Sequence, residues 1–289
     1  MTESVAELLQ SAQTHLTSNN MLAAYQCIEA ALKIEPRSLR AHNLREKHRL
    51  SGNFSDWMGV DGQISEDDDI FRFFSNHPTS TNPVRDYLSD GWRTTIELQE
   101  ALDQCSMSLR KCSSFLEFAS GHGRFTRHLA RILSQGQLAV SDVVPGSVEF
   151  LINTFGVKGF TSTTDPLALT LPGKYQVIFV LSLFSHLPTQ IWQPWFKVLA
   201  AALEPGGVLI FSAHGEKSAR QDNVSWGEKE HAFFAASESS ALDAQTYGCT
   251  YASLRFVKDQ LAQALGKDVK IQAIPGHFWG AQDAIMVSN

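Results

Sequence analysis

The residues best suited to chemistry lie in the stretch FLEFASGHGRFTRHLA, positions 115–130. An apolar run ends around Glu117, turns through Gly121 and Gly123, and continues into an amphipathic pattern. Glycine lets backbone approach a ligand closely, and the free amides at the start of the following helix face polar ligand atoms. The pattern is that of a nucleotide-binding turn. It is not a P-loop, because no lysine follows the glycines. A nicotinamide loop would place its third glycine at Thr126, where a branched side chain hinders close packing of helix on strand. Asp142 follows Gly123 by nineteen residues, at the end of the next predicted strand. There a carboxylate either accepts hydrogen bonds from both ribose hydroxyls or caps the helix predicted from Pro145.

Two histidines follow later predicted strands, His186 after VIFVL and His214 after VLIFSA. A neutral imidazole there can take a proton near neutral pH, or it can hold a loop in place. His122 and Arg124 fall inside the glycine turn and read as partners of backbone. The insertion at 216–248 carries Trp226, His231, Phe233, Phe234 and Tyr247, and the final turn GHFWGAQD carries His277 and Trp279. Trp226, Tyr247, His277 and Trp279 are candidates to contact an acceptor. The other reading of the insertion aromatics is a lid packed on the core, and Trp279 and Tyr87 are further candidates to close over a cofactor. No metal is expected: the four cysteines form no CxxC pair, and the acidic run at 66–69 lacks the alternation of a calcium loop.

These residues need strand ends to hold them. Strand patterns occur at 115–119, 137–141, 159–160, 177–181, 208–212, 269–274 and 284–287. Helical patterns begin at Tyr87, Arg124, Pro145, Gln190 and Ala252, with Ile191, Trp195, Leu199 and Leu203 spaced by four on one face. Alternation of the two predicts an α/β fold, a mostly parallel sheet covered by helices on both faces.

The 289-residue chain is 43% hydrophobic and 19% charged, with a net charge of −6. That balance suits a globular protein with small-molecule or protein partners and disfavours nucleic acid and anionic membrane surfaces. No apolar run reaches the roughly 20 residues of a membrane span, and MTESVAELLQ lacks a signal-peptide pattern. A cytoplasmic location and reduced cysteines are the expectation. Residues 1–52 read as helices, with Val5, Leu8, Leu9 and Ala12 on one face, a turn at 18–20, and then Leu22, Ala23, Tyr25, Ile28, Leu32 and Ile34. Alanines 12, 24 and 31 and the stop at Pro36 resemble a tetratricopeptide repeat, although its tryptophan and tyrosine positions are unmatched. A module this short packs on the main domain or on a second subunit, and it offers a surface for a protein partner or a homodimer. Residues 53–111 read as linker and cap helices, with an acidic turn and an aromatic cluster at Phe71, Phe73 and Phe74 that must be buried.

The order of Glu117, Gly121, Gly123, Asp142, the segment KYQVIFVLSLFSHLP and the later LEPGGVLIFSAHG resembles the class I S-adenosylmethionine-dependent methyltransferases across residues 112–289. The resemblance implies a Rossmann-like seven-stranded sheet whose last strand is antiparallel, S-adenosylmethionine as cofactor and S-adenosylhomocysteine as product. It implies that Glu117 meets the methionine amine, that Ala119, Gly121 and Gly123 form the loop under the cofactor, and that Asp142 binds ribose. By the same resemblance Asp165 or its neighbour Thr164 meets the adenine amino group, and Ser182 and Leu183 lie against the methionine end. Ala119 stands where the family pattern has its first glycine. Acids at the ends of adjacent strands suit a cofactor with an amino-acid end and two ribose hydroxyls better than a phosphate cradle would. The dipeptides His214–Gly215, Tyr247–Gly248 and Gln282–Asp283 are similar to HG, YG and QD motifs of bacterial methyltransferases found near polysaccharide-modifying enzymes. The implied reaction is methyl transfer to oxygen or nitrogen of a small polar acceptor such as a sugar, with His186 and His214 as candidate bases. The alternative is a protein substrate or partner recognised by the N-terminal helices.

Overall fold

A computed structural model describes residues 3–236, 239 and 242–288. By contact the chain divides into two units, residues 1–92 and 93–289.

The first unit is helical. Helices α1 (Val5–Thr17), α2 (Met21–Ile34) and α3 (Leu39–Lys47) enclose a core of Leu8, Leu9, Ala12, Leu16, Ala24, Ile28, Ala31, Ala41 and Leu50. Ser4 and Glu7 form a reciprocal capping box that starts α1, and Asn20 caps α2, so the turn between them is set by local chemistry. Leu22 and Ile34, expected on the apolar face of α2, are 68% and 57% exposed. A second core gathers Ile64, Phe71, Val84, Tyr87 and Leu88 around α4 (Ser55–Met58), α5 (Asp69–Asn76) and the start of α6 (Pro83–Gln104). Asp68 in the acidic run is buried, not solvated: its carboxylate accepts from the Phe71 amide at 3.0 Å and from the Tyr87 hydroxyl at 2.5 Å. Tyr87 is thereby part of this core, packed edge-on against Phe71 and Phe74, rather than a cover for a cofactor. Of the expected aromatic cluster, Phe71 is buried and Phe73 is 54% exposed.

The second unit is an α/β sandwich. Its elements in chain order are β1 (Phe115–Phe118), α7 (Thr126–Ile132), β2 (Leu138–Asp142), α8 (Ser147–Phe155), β3 (Lys158–Thr161), β4 (Tyr175–Val180), α9 (Trp192–Ala201) and β5 (Leu203–Ala213). Then come α10 (Glu216–Gln221), β6 (His231–Phe234), β7 (Cys249–Ala252), α11 (Leu254–Leu265), β8 (Lys270–Phe278) and β9 (Gln282–Ser288). Seven strands form one sheet in the order β3-β2-β1-β4-β5-β9-β8, and β9 runs antiparallel to both neighbours. This is the Rossmann-like arrangement that the sequence resemblance implied. Side chains alternate across the sheet with a period of two. Phe115, Val177, Phe179, Val208 and Ile210 enter one core with Leu129 and Leu151, whereas Leu116, Phe118, Ile178, Val180, Leu209 and Phe211 enter the other with Trp195, Phe196 and Leu261. Burial on both faces accounts for the nearly continuous apolar strands. The antiparallel pair of β6, which lies within the insertion at 216–248, and β7, which follows it, has no counterpart among the expected strands; it is tied to the sheet by a bridge between His214 and Tyr251. Among the described residues no helix is long and apolar enough to cross a membrane.

Candidate active site

The carboxyl ends of β2, β1, β4 and β5 lie side by side, and the antiparallel β9 begins at the same edge. In an open α/β sheet, ligands bind in the crevice at this edge, where the strand order reverses. Here the reversal lies between β1 and β4.

Glu117 is buried at the end of β1, and its Oε2 accepts a hydrogen bond from the Thr126 hydroxyl at 2.7 Å. Thr126, which stands where a nicotinamide loop would have its third glycine, is fully buried and uses its hydroxyl to anchor this acid. Burial pushes the Glu117 carboxyl up to about 8, against the opposing pull of the Thr126 hydrogen bond and the Arg124 charge. A carboxyl in that condition gains most from a cationic partner.

Beyond Glu117 the chain makes a tight turn. Ala119 has φ of 61°, Gly121 55° and Gly123 86°. That explains the glycine expected at 119: an L-residue pays about 1–2 kcal/mol in the left-handed region. The two glycines serve different ends. A Cβ on Gly123 would lie 2.4 Å from Leu151 Cδ2, so α8 requires its absence, whereas a Cβ on Gly121 would meet nothing within 4 Å. The Gly121 position therefore presents bare backbone to open space, as a cofactor loop requires. The turn is sewn to β2: Ser120 donates to the Ser141 carbonyl, and the Gly121 amide donates to Asp142 Oδ2 at 2.7 Å. Asp142 Oδ1 accepts from the Val144 amide at 2.8 Å. Burial raises the Asp142 carboxyl, and these backbone bonds oppose the rise. The Val143 amide bears on the same carboxylate; with about four lone-pair sites in all, the loop-closing role still leaves room for a ribose hydroxyl as a further donor.

Asp165 lies on the exposed loop after β3, where its Oδ1 accepts from the Leu167 amide at 2.9 Å. Ser182 follows β4 with φ of 55°, another left-handed non-glycine residue at the same edge, and is followed by half-buried Leu183. Strained backbone of this kind collects at ligand sites.

The two histidines are brought together, with ring centroids 6.1 Å apart. His186 is buried, stacks on Tyr247 at 4.7 Å, and its Nδ1 lies 2.7 Å from the Gly248 carbonyl oxygen. His214 stacks on Tyr251 at 5.0 Å, and the Tyr251 hydroxyl donates to Asp222 at 2.9 Å. Burial, with the His186 charge second, pushes the His214 imidazole down to about 4. The three dipeptides noted in the sequence meet here. Gln282 contacts His214 at 3.2 Å, a Cβ on Gly215 would lie 2.0 Å from Asp283 Oδ2, and a Cβ on Gly248 would lie 2.2 Å from the Phe234 carbonyl oxygen. Each glycine is a close-approach position.

The remaining candidates divide. Tyr247 is part of the histidine cluster, and Trp226 is half-buried in the insertion before β6. His277 and Trp279 instead grip the later part of α6. His277 Nε2 lies 2.6 Å from the Glu97 carbonyl oxygen, the Trp279 amide donates to the Glu97 carboxylate at 3.1 Å, and its indole donates to Thr94. The Arg124 guanidinium lies 5.0 Å over the Trp279 ring, which links this wall to the glycine turn. Gln282 and Ser212, absent from the sequence-based site, connect the ends of β4, β5 and β9; the QD dipeptide and a serine at the end of a buried strand were their only signals.

Residues 92–254 match a family described as methyltransferase domain. The chain belongs to that family. It is an enzyme of the methyltransferase class, in keeping with the strand order. No curated protein matches the chain. Among solved structures it is similar to an S-adenosylmethionine-dependent methyltransferase from Clostridium acetobutylicum, at 14% identity and a TM-score of 0.48, over 68% of this chain and 90% of that one. It is also similar to the N-methyltransferase NodS from Bradyrhizobium japonicum with S-adenosylhomocysteine, at 17% identity and a TM-score of 0.42, over 66% and 84% of the two chains. A third is the glycopeptide N-methyltransferase MtfA complexed with sinefungin, at 14% identity and a TM-score of 0.46, over 67% and 85%.

Proposed function

We propose that this methyltransferase uses S-adenosylmethionine to methylate an oxygen or nitrogen of a small polar molecule. The observation that carries the reading is the junction of two half-sites on one sheet edge: a buried acid with a bare glycine turn on β1, and the His186–His214 pair beyond β4 and β5. The donor set fits the cofactor. Glu117 would take the ammonium, the Ala119–Gly123 turn would pass beneath, Asp142 would accept from the ribose, Asp165 would face the adenine amine, and Ser182 and Leu183 would border the methionine end. When bound, S-adenosylmethionine supplies a methyl carbon already activated by its sulfonium, so the protein's task is alignment and removal of the acceptor's proton. His186 and His214 are the groups placed to receive it. Tyr247 and Trp226 border the acceptor side, and His277 and Trp279 stiffen the opposite wall through α6. Calorimetry with S-adenosylmethionine and S-adenosylhomocysteine tests the reading. Heat at one site per chain is expected with both, and none with either would sink it.

A further inference from the structure

Two cations meet at the turn between β8 and β9. Lys217 of α10 lays its stem along Gly276: a Cβ there would lie 2.5 Å from Lys217 Cδ, so glycine leaves the slot that holds the side chain. Gly276 has φ of 59° and Gly280 of 69°, and between them Trp279 takes the same left-handed backbone at 57° without being glycine. Such strain collects at ligand sites. At Gly280 a Cβ would meet Lys217 Nζ at 3.9 Å and Arg93 Nη2 at 4.0 Å, so an ammonium and a guanidinium converge on one point beside bare backbone. The elements on either side are fastened to bring them there. Ser218 of α10 is buried and donates to the Ala281 carbonyl at 3.0 Å, and the later part of α6 is held through Glu97, which accepts from the Trp279 amide at 3.1 Å.

Like charges brought together repel unless an anion lies between them. The acids near the turn do not fill that place. Glu97 is engaged by Arg93 Nε at 2.8 Å, not by the Nη2 that lies beside Gly280, and Asp283 accepts from the Gly276 amide at 2.7 Å. Glu216 is exposed, and Lys217 forms no ion pair or hydrogen bond among the described residues. The point lies at the sheet edge that carries the site. Lys217 is three residues beyond His214, and Gln282, two beyond Gly280, contacts His214 at 3.2 Å. The Arg124 guanidinium over Trp279 adds positive charge from the glycine turn. In a chain of net charge −6, cations gathered at one edge give that edge a field opposite in sign to the whole.

Resting on the methyltransferase reading, we propose that the acceptor carries an anionic group, a carboxylate or a phosphate, which Lys217 and Arg93 bind beside Gly280. Ammonium and guanidinium are strong donors to such oxygens. The anion is a handle separate from the methylated atom, so the product keeps its negative charge. Anchoring the acceptor at the wall opposite Tyr247 and Trp226 fixes its reach across the crevice, which is the alignment that methyl transfer needs.

Inorganic phosphate and acetate, titrated separately into the nitrogen-labelled full chain without cofactor, test the anion site itself by NMR. The backbone amide signals of Lys217, Gly276 and Gly280 are expected to shift and saturate with at least one of them, phosphate marking a phosphorylated acceptor and acetate a carboxylated one. The saturable shift should vanish in Lys217→Met and return in Lys217→Arg. Shifts that saturate with neither anion, or that persist in Lys217→Met, overturn the proposal. In the reaction, methyl label passed from S-adenosylmethionine to the small-molecule fraction of a cell extract should be retained on an anion-exchange resin; labelled product that passes through overturns it. Lys217→Met should slow this transfer about tenfold in dilute extract and recover as the extract is concentrated, with S-adenosylhomocysteine affinity held within about twofold. An equal loss of S-adenosylhomocysteine affinity would give the cations to the cofactor's own carboxylate and overturn the acceptor assignment. Lack of any heat with S-adenosylhomocysteine would instead remove the methyltransferase reading, whereas the anion titration needs no cofactor and is decided separately.

Discussion

The Glu117 carboxyl, raised by burial to about 8, makes cofactor affinity depend on pH in a calculable way. Below that value the free protein holds the acid protonated. An ammonium placed beside it favours the ionised form, so binding must expel a proton. About one molecule in a hundred is ionised at pH 6 and one in eleven at pH 7, so affinity for S-adenosylmethionine should rise about ninefold between them, about 1.3 kcal/mol. The ligand amine, with an ordinary pKa of about 7.7–8.0, stays charged across that window. His214 titrates below it, at about 4. Isothermal calorimetry in two buffers of different ionisation heat would measure the released proton, near one per cofactor. Glu117→Gln should bind more weakly and lose both the pH slope and the proton. An affinity that is flat in pH, with no proton released by the wild type, would refute the placement of the ammonium at Glu117.

Other outcomes follow from single positions. Ala119→Gly removes a left-handed alanine at φ 61°; after the entropy of the added glycine, denaturant titration should show a gain of about 0.5–1 kcal/mol, and a loss would mean that the methyl group packs usefully. Gly248→Ala drives a Cβ to 2.2 Å from the Phe234 carbonyl, so a cost of about 1–3 kcal/mol and loss of the His186–Tyr247 stack are expected; wild-type stability would show that the hairpin yields freely. His214 has its folded pKa lowered to about 4, so its stability contribution is whole above the unfolded value of about 6.5 and is lost as pH falls. Relative to His214→Asn, the wild type should lose about 2 kcal/mol between pH 7 and pH 5, and parallel profiles of the two proteins would contradict the burial of a neutral ring.

The central sheet was legible because each strand is an apolar run closed by a polar or glycine-rich loop, and burial on both faces imposes that signature. The acids were legible for a related reason: Glu117 and Asp142 end such runs. The β6–β7 pair was not, because half-buried HAFF and mostly buried CTYA carry no alternation distinguishable from a lid loop. The bond from Thr126 to Glu117 was not legible, because glycine spacing says nothing of a hydroxyl that turns inward to an acid. The contact of Gln282 with His214 was invisible as well: the two lie 68 residues apart in sequence and meet because β9 returns antiparallel beside β5. In the first unit, amphipathic spacing located the helices but not their partners, which is why Leu22, Ile34 and Phe73 are exposed against expectation.

The most direct test of methylation of a small acceptor at this edge is to incubate the protein with methyl-labelled S-adenosylmethionine and a cell extract separated into small-molecule and protein fractions. Label should enter the small-molecule fraction with matching formation of S-adenosylhomocysteine, and Asp142→Ala should reduce it sharply at limiting cofactor. Label confined to the protein fraction would contradict the acceptor class, and no label in either, with no S-adenosylhomocysteine formed, would contradict the account as a whole.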